Sequence, residues 1–151
     1  MPHQAPFWPI AALMFASGIG IPILAAFNAG LGAQLGSATA ATFVLFAVGL
    51  ALAGLIVAIV GLPARHLFTL EWPHLYFGAA FMLFYALSVT WAAPRIGVGN
   101  AVFFVLLGQL VAAAAIDHFG LWGALKAEIT VRRMTGIAVM ALGVYLARKP
   151  V

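Results

Sequence analysis

The chain has 151 residues, of which 66% are hydrophobic and 7% charged, with seven Lys+Arg against three Asp+Glu and no cysteine. An ordinary soluble domain is about 25% charged, and a chain this short leaves much of its surface facing solvent, so a water-soluble fold is excluded and the class is an all-α integral membrane protein. Disulfides and thiolate sites are excluded too, and the scattered cations read as flanks facing anionic lipid headgroups, not as a nucleic-acid surface.

A span needs about 20 apolar residues, and the sequence offers five, at about 7–30, 38–62, 74–92, 99–117 and 130–147, read as one transmembrane domain over 1–151. The first six residues lack Lys and Arg, and the apolar run continues past Asn28. A cleaved signal peptide needs a basic start and a core of roughly 7–15 apolar residues, so none is expected. In span one, Pro22 lies four residues after Gly18 and takes the donor from its carbonyl, which predicts a kink and a hinge there. An uncharged turn, Gly30–Ser37, follows.

Span two is apolar all round, with Gly49, Ala53 and Gly61 as close-approach points and Pro63 as its stop. A linker with Arg65, His66 and Glu71 leads to span three, where Phe77, Phe81, Tyr85, Ser88 and Ala92 form one stripe. Pro94 and Gly97 are expected to break that helix, with Arg95 between them. Span four carries Asn100 and Gln109 inside the apolar run and Asp117-His118 at its end. After a more polar loop, Asp117–Arg132, span five is short and is expected to start before Arg133, with Arg132 and Arg133 snorkelling. Gly136 and Gly143, a heptad apart, share a face suited to helix packing in lipid, against the plainer reading of scattered glycines.

An amide in hydrocarbon costs several kcal/mol unless it finds a partner. Gln109 therefore either lines a solute cavity or makes an interhelical hydrogen bond, and Asn28 either faces that cavity or caps the first helix. Asn100 lies nine residues from Gln109, on the opposite face, and reads as a cap of span four. Tyr85, Ser88 and Trp91 suit contact with an organic solute, while Trp91 equally suits an aromatic belt. Asp117 and His118 are open to a proton-relay reading or to pairing of the acid with Arg132 or Arg133.

His3, His66, His74 and His118 show no helical pairing, so no metal and no cofactor is expected, and no catalytic constellation points to an enzyme. With five spans, Arg65, Lys126, Arg132 and Arg133 fall on one side and Arg95, Arg148 and Lys149 on the other, four against three. Orientation follows a clear Lys/Arg excess. So small a bias points to insertion both ways up as an antiparallel homodimer, or to an oppositely oriented partner.

Asn28 with Gly32-x-Gln34-x-Gly36-Ser37, then Pro94-Arg95-x-Gly97, Gly108-Gln109 and Asp117-His118-Phe119-Gly120, resembles the signature positions of the YdcZ-type family, small five-span proteins of the drug/metabolite transporter superfamily. The resemblance runs in order along nearly the whole chain. It implies a bacterial inner-membrane transporter of a small organic solute, occurring in the family as single, paired and fused forms, so that one chain is half of an inverted-repeat carrier. Related small multidrug carriers hold a carboxylate at mid-depth of the first helix. None occurs here, which puts their proton-coupled cation export in doubt. The alternative is a structural or regulatory subunit that binds another protein's spans.

Overall fold

The computed structural model describes residues 7–61 and 73–147, and among them the regular structure is helical throughout. The helices are α1 Phe7–Leu35, α2 Ala38–Val60, α3 Gly78–Ile96, α4 Val98–Phe119 and α5 Val131–Ala147, with 3-10 turns at Pro73–Phe77 and Leu121–Gly123. Phe7–Leu35, Ala38–Val60, His74–Ile96 and Val98–Phe119 are long and apolar enough to cross a bilayer. The fifth has 17 residues, about 25 Å at the helical rise, against a hydrocarbon core of about 30 Å. The chain packs as two units, residues 1–95 and 96–151.

In the first unit, α1 passes through the expected turn at Gly30–Ser37 and ends only at Leu35. Lipid offers the backbone no water, so a helix that satisfies its own N–H and C=O groups is favoured even across glycines. Gly36 stops it with φ +64. Its N–H reaches the Ala33 carbonyl at 3.4 Å and the Ser37 N–H reaches the Gly32 carbonyl at 3.0 Å, the paired bonds of a Schellman end. Ser37 then starts α2, its Oγ accepting the Ala40 N–H at 3.1 Å. Two residues thus turn the chain around.

The interior of this unit is built from small residues. Ala25, Asn28 and Ala29 on α1, Ala41 and Thr42 on α2, and Ala86, Val89, Thr90 and Ala93 on α3 are buried, while Phe15, Phe27, Phe43, Leu50, Phe81 and Phe84 are exposed. That inverts a water-soluble core. Lipid tails solvate large apolar side chains, so nothing drives them inward, and small ones let helix backbones come close. The close approach falls at Gly32, where an added Cβ would sit 3.3 Å from Thr90 Cγ2 and 3.7 Å from Ala41 Cβ. It does not fall at the expected Gly49, which has nothing within 4 Å, nor at Gly61, which ends α2 with φ +83. Gly18 and Pro22 lie inside a continuous α1.

Helix α3 also runs past its expected break. Pro94 is within it, and the helix ends at Ile96, before Gly97 with φ +86. A proline this close to the end deletes one hydrogen bond, that to the Thr90 carbonyl, and the left-handed glycine makes the stop. In the second unit, α4 reaches Phe119 and ends on Gly120 with φ +62. Helix α5 begins at Val131, ahead of Arg133, with the Thr130 hydroxyl accepting the Arg133 N–H at 3.2 Å. The expectations for His3, Pro63, Arg65, His66, Glu71, Arg148 and Lys149 lie outside the described residues.

Gly32→Val should lower the unfolding midpoint of the purified protein, by a loss of about 1–3 kcal/mol from overpacking against Thr90 and Ala41. Gly49→Ala, which meets open space, should be neutral or slightly stabilising in the same assay.

Candidate functional site

Asn28 is not a helix cap. It lies seven residues before the end of α1, buried, and its Nδ2 donates to Thr90 Oγ1 of α3 at 2.5 Å. The Thr90 hydroxyl in turn donates to the Ala86 carbonyl at 2.7 Å. One amide thus spends a donor across the helix interface, and the hydroxyl both accepts and donates. Thr90 is not among the residues that the sequence marks as candidates. Its signal was a place among Ala86, Val89 and Ala93, at the spacing of a small-residue packing face. Two further hydroxyls, Thr42 Oγ1 and Tyr85 Oη, are buried with no hydrogen-bond partner among the described residues.

Two open cavities lie in this unit. One, of about 430 Å³, is lined by Gly20, Ile23, Leu24, Phe27, Asn28, Leu31, Val44, Leu45 and Val48. The other, of about 540 Å³, is lined by Ala38, Thr39, Phe84, Leu87, Ser88, Trp91 and Ala92. The structure therefore puts Asn28 on one cavity and brings Ser88 and Trp91 together on another, while Tyr85 and Gln109 are among the lining residues of neither. Trp91 also carries the Arg95 guanidinium, 4.2 Å above its ring, and Arg95 Nη1 donates to the Trp91 carbonyl.

In the second unit, Asn100 is buried and Gln109 exposed, as their opposite faces on α4 require. Asn100 is not the cap of α4 either. Gly97 holds that place without a side-chain bond, and Asn100 Nδ2 donates back to the Ile96 carbonyl at 2.8 Å. Gly136 and Gly143 have open space where a Cβ would stand.

The acid–imidazole pair fastens the loop between α4 and α5. Arg133 Nη2 donates to Asp117 Oδ2 at 2.6 Å, the Asp117 carbonyl accepts the Ala127 N–H at 2.8 Å, and His118 Nδ1 accepts the Ile129 N–H at 3.2 Å. The loop also holds Trp122 at φ 53, in the left-handed region where a bulky residue is strained. No group of three potential metal ligands converges among the described residues.

Compared with known proteins, residues 9–146 match the family described as "Putative inner membrane exporter, YdcZ". No curated protein and no solved structure matches the chain.

A double-mutant cycle of Asn28→Leu and Thr90→Val, read by unfolding in detergent, should give a coupling of about 0.6 kcal/mol and no more than about 1.7, the range of hydrogen bonds between membrane helices. The Asp117–Arg133 pair is about one-third exposed on each side. Asp117→Asn should therefore cost no more than about 1 kcal/mol, and less in high salt.

Proposed function

Because the chain belongs to the YdcZ family of inner-membrane exporters, we propose that it carries a small organic solute out of the bacterial cytoplasm by alternating access. In this reading the working unit is an antiparallel pair, with itself or with an oppositely inserted paralogue, in the inverted-repeat manner of drug/metabolite transporters. The chain is a transporter, not an enzyme, and the bilayer and the solute are its other partners.

The observation that carries the proposal is the charge count. Five helices with Lys+Arg split four against three give the chain almost nothing to fix one orientation. The outward surfaces support it. From Ala47 to Gly61, α2 is exposed throughout, and Gly136 and Gly143 leave room for a backbone to approach. Gly18 and Pro22 within α1 supply the hinge, since a proline in a membrane helix removes one hydrogen bond from the ladder. In this reading Asn28, Tyr85, Ser88 and Trp91 of the first unit, and separately Gln109, exposed on α4, are candidates for contact with the solute.

Tags at both termini, probed from outside intact cells, should be accessible in about half of the molecules each. One uniform orientation without an oppositely inserted partner overturns the antiparallel pair. Reconstituted protein should take up a solute from a broad metabolite panel, and Gln109→Ala should lower that rate. Co-purification of a stoichiometric larger membrane protein, with no transport, would favour the subunit reading instead.

A further inference from the structure

We infer that the cavity between the start of α2 and the last turns of α3 binds an organic anion, with its carboxylate or phosphate head at Arg95 and its apolar body along Trp91, Ser88 and Phe84. The inference deepens the carrier reading by naming a substrate class, and rests on it only for the step of transport. Phe84, Ser88, Trp91 and Arg95 follow one another at spacings of four, three and four, so they form one stripe down α3. Phe84, Ser88 and Trp91 line the cavity, and the Arg95 guanidinium, itself not among the lining residues, lies 4.2 Å over the ring of Trp91. From Phe84 to Arg95 is eleven residues, about 16 Å of helix. That suits a small amphiphile lying along the helix with its head at Arg95.

Charge decides the sign of the head. Arg95 is the one Asp, Glu, Lys or Arg among the described residues of the first unit. A guanidinium has five N–H donors, and here one of them goes to the Trp91 carbonyl of its own helix. Contact with the ring holds the cation next to a lining residue of the cavity, and its planar fork matches an oxyanion bidentately. Thr39 and Ser88 contribute hydroxyls to the lining, while Phe84, Leu87 and Ala92 supply apolar wall. A volume of about 540 Å³ is in the range of small-molecule sites, roughly 300–1,000 Å³. The same chemistry is presented by an anionic lipid headgroup and by a free organic acid.

The test uses the full chain in phosphatidylcholine nanodiscs, titrated with 2-naphthoate and with neutral 2-naphthamide, and a parallel series containing phosphatidylglycerol, read by calorimetry and unfolding midpoint. Naphthoate should bind saturably and more tightly than the amide. Arg95→Gln should weaken it roughly tenfold or more, the scale of a charge-assisted hydrogen bond, and leave the amide unchanged. Arg95→Lys should retain part of the affinity. Ala92→Phe, which fills the cavity and keeps the cation, should abolish naphthoate binding, so the test survives if Arg95→Gln does not fold.

If phosphatidylglycerol but not naphthoate raises the midpoint, and does so only with Arg95 present, the head is a lipid's and the inference stands with that source. Equal binding of acid and amide, with no dependence of either series on Arg95, overturns it. Binding through Arg95 by a protein that transports nothing sinks the carrier reading alone. Transport by a protein that binds neither naphthoate nor phosphatidylglycerol through Arg95 sinks this inference alone.

Discussion

A polar group carried into hydrocarbon must be answered by another group of the protein, and the bond from Asn28 to Thr90 is where this chain meets that demand most deeply. Left alone, the amide would forfeit several kcal/mol. Paired, it ties α1 to α3 and directs the Thr90 hydroxyl onto the Ala86 carbonyl. The bond is reachable because its surroundings are small. Gly32 lets Thr90 and Ala41 come within contact distance of α1, and Ala25, Ala29, Ala86 and Ala93 keep the backbones close. Large side chains at those positions would hold the helices apart and leave both polar groups unmatched.

Helix ends obey the same demand. Gly36 and Ser37 close one helix and open the next within two residues, answering the last carbonyls of α1 and the first N–H groups of α2. At the far end of α4 the connection is longer, and side chains do what a tight turn does elsewhere. Asp117 and His118 each take bonds from the loop or from α5, and Thr130 caps the last helix. Of the two readings open for Asp117 and His118, these bonds match the pairing of the acid with an arginine.

What remains unanswered inside this chain points outward. The Thr42 and Tyr85 hydroxyls are buried without a hydrogen bond among the described residues, Gln109 is exposed on α4, and α2 shows an apolar surface over its second half. In the carrier reading the exposed Gln109 and the α2 surface meet a second chain or a solute. The Arg95–Trp91 contact adds a cation stacked on a residue that lines a cavity, where a ligand of opposite charge finds an oriented partner.

The sequence by itself determined the class, the family and the sites of the five helices, because apolar length and scarcity of charge do not depend on how the helices pack. It also carried the pairing of Asp117 with Arg132 or Arg133 as one of two readings, since an acid and an arginine at neighbouring helix ends meet locally, and Arg133 is the partner. The helices run on to Leu35 and Ile96, past the glycines and the proline expected to stop them, because such residues break a helix in water more readily than where the backbone has no other partner. Only the tertiary structure decided that Asn28 meets Thr90, 62 residues away, that Gly32 and not Gly49 is the contact, and that Ser88 and Trp91 share a cavity. Those facts depend on which face each helix turns toward another. In a chain apolar on nearly every face, hydrophobic periodicity holds no record of that choice, and packing of small residues makes it.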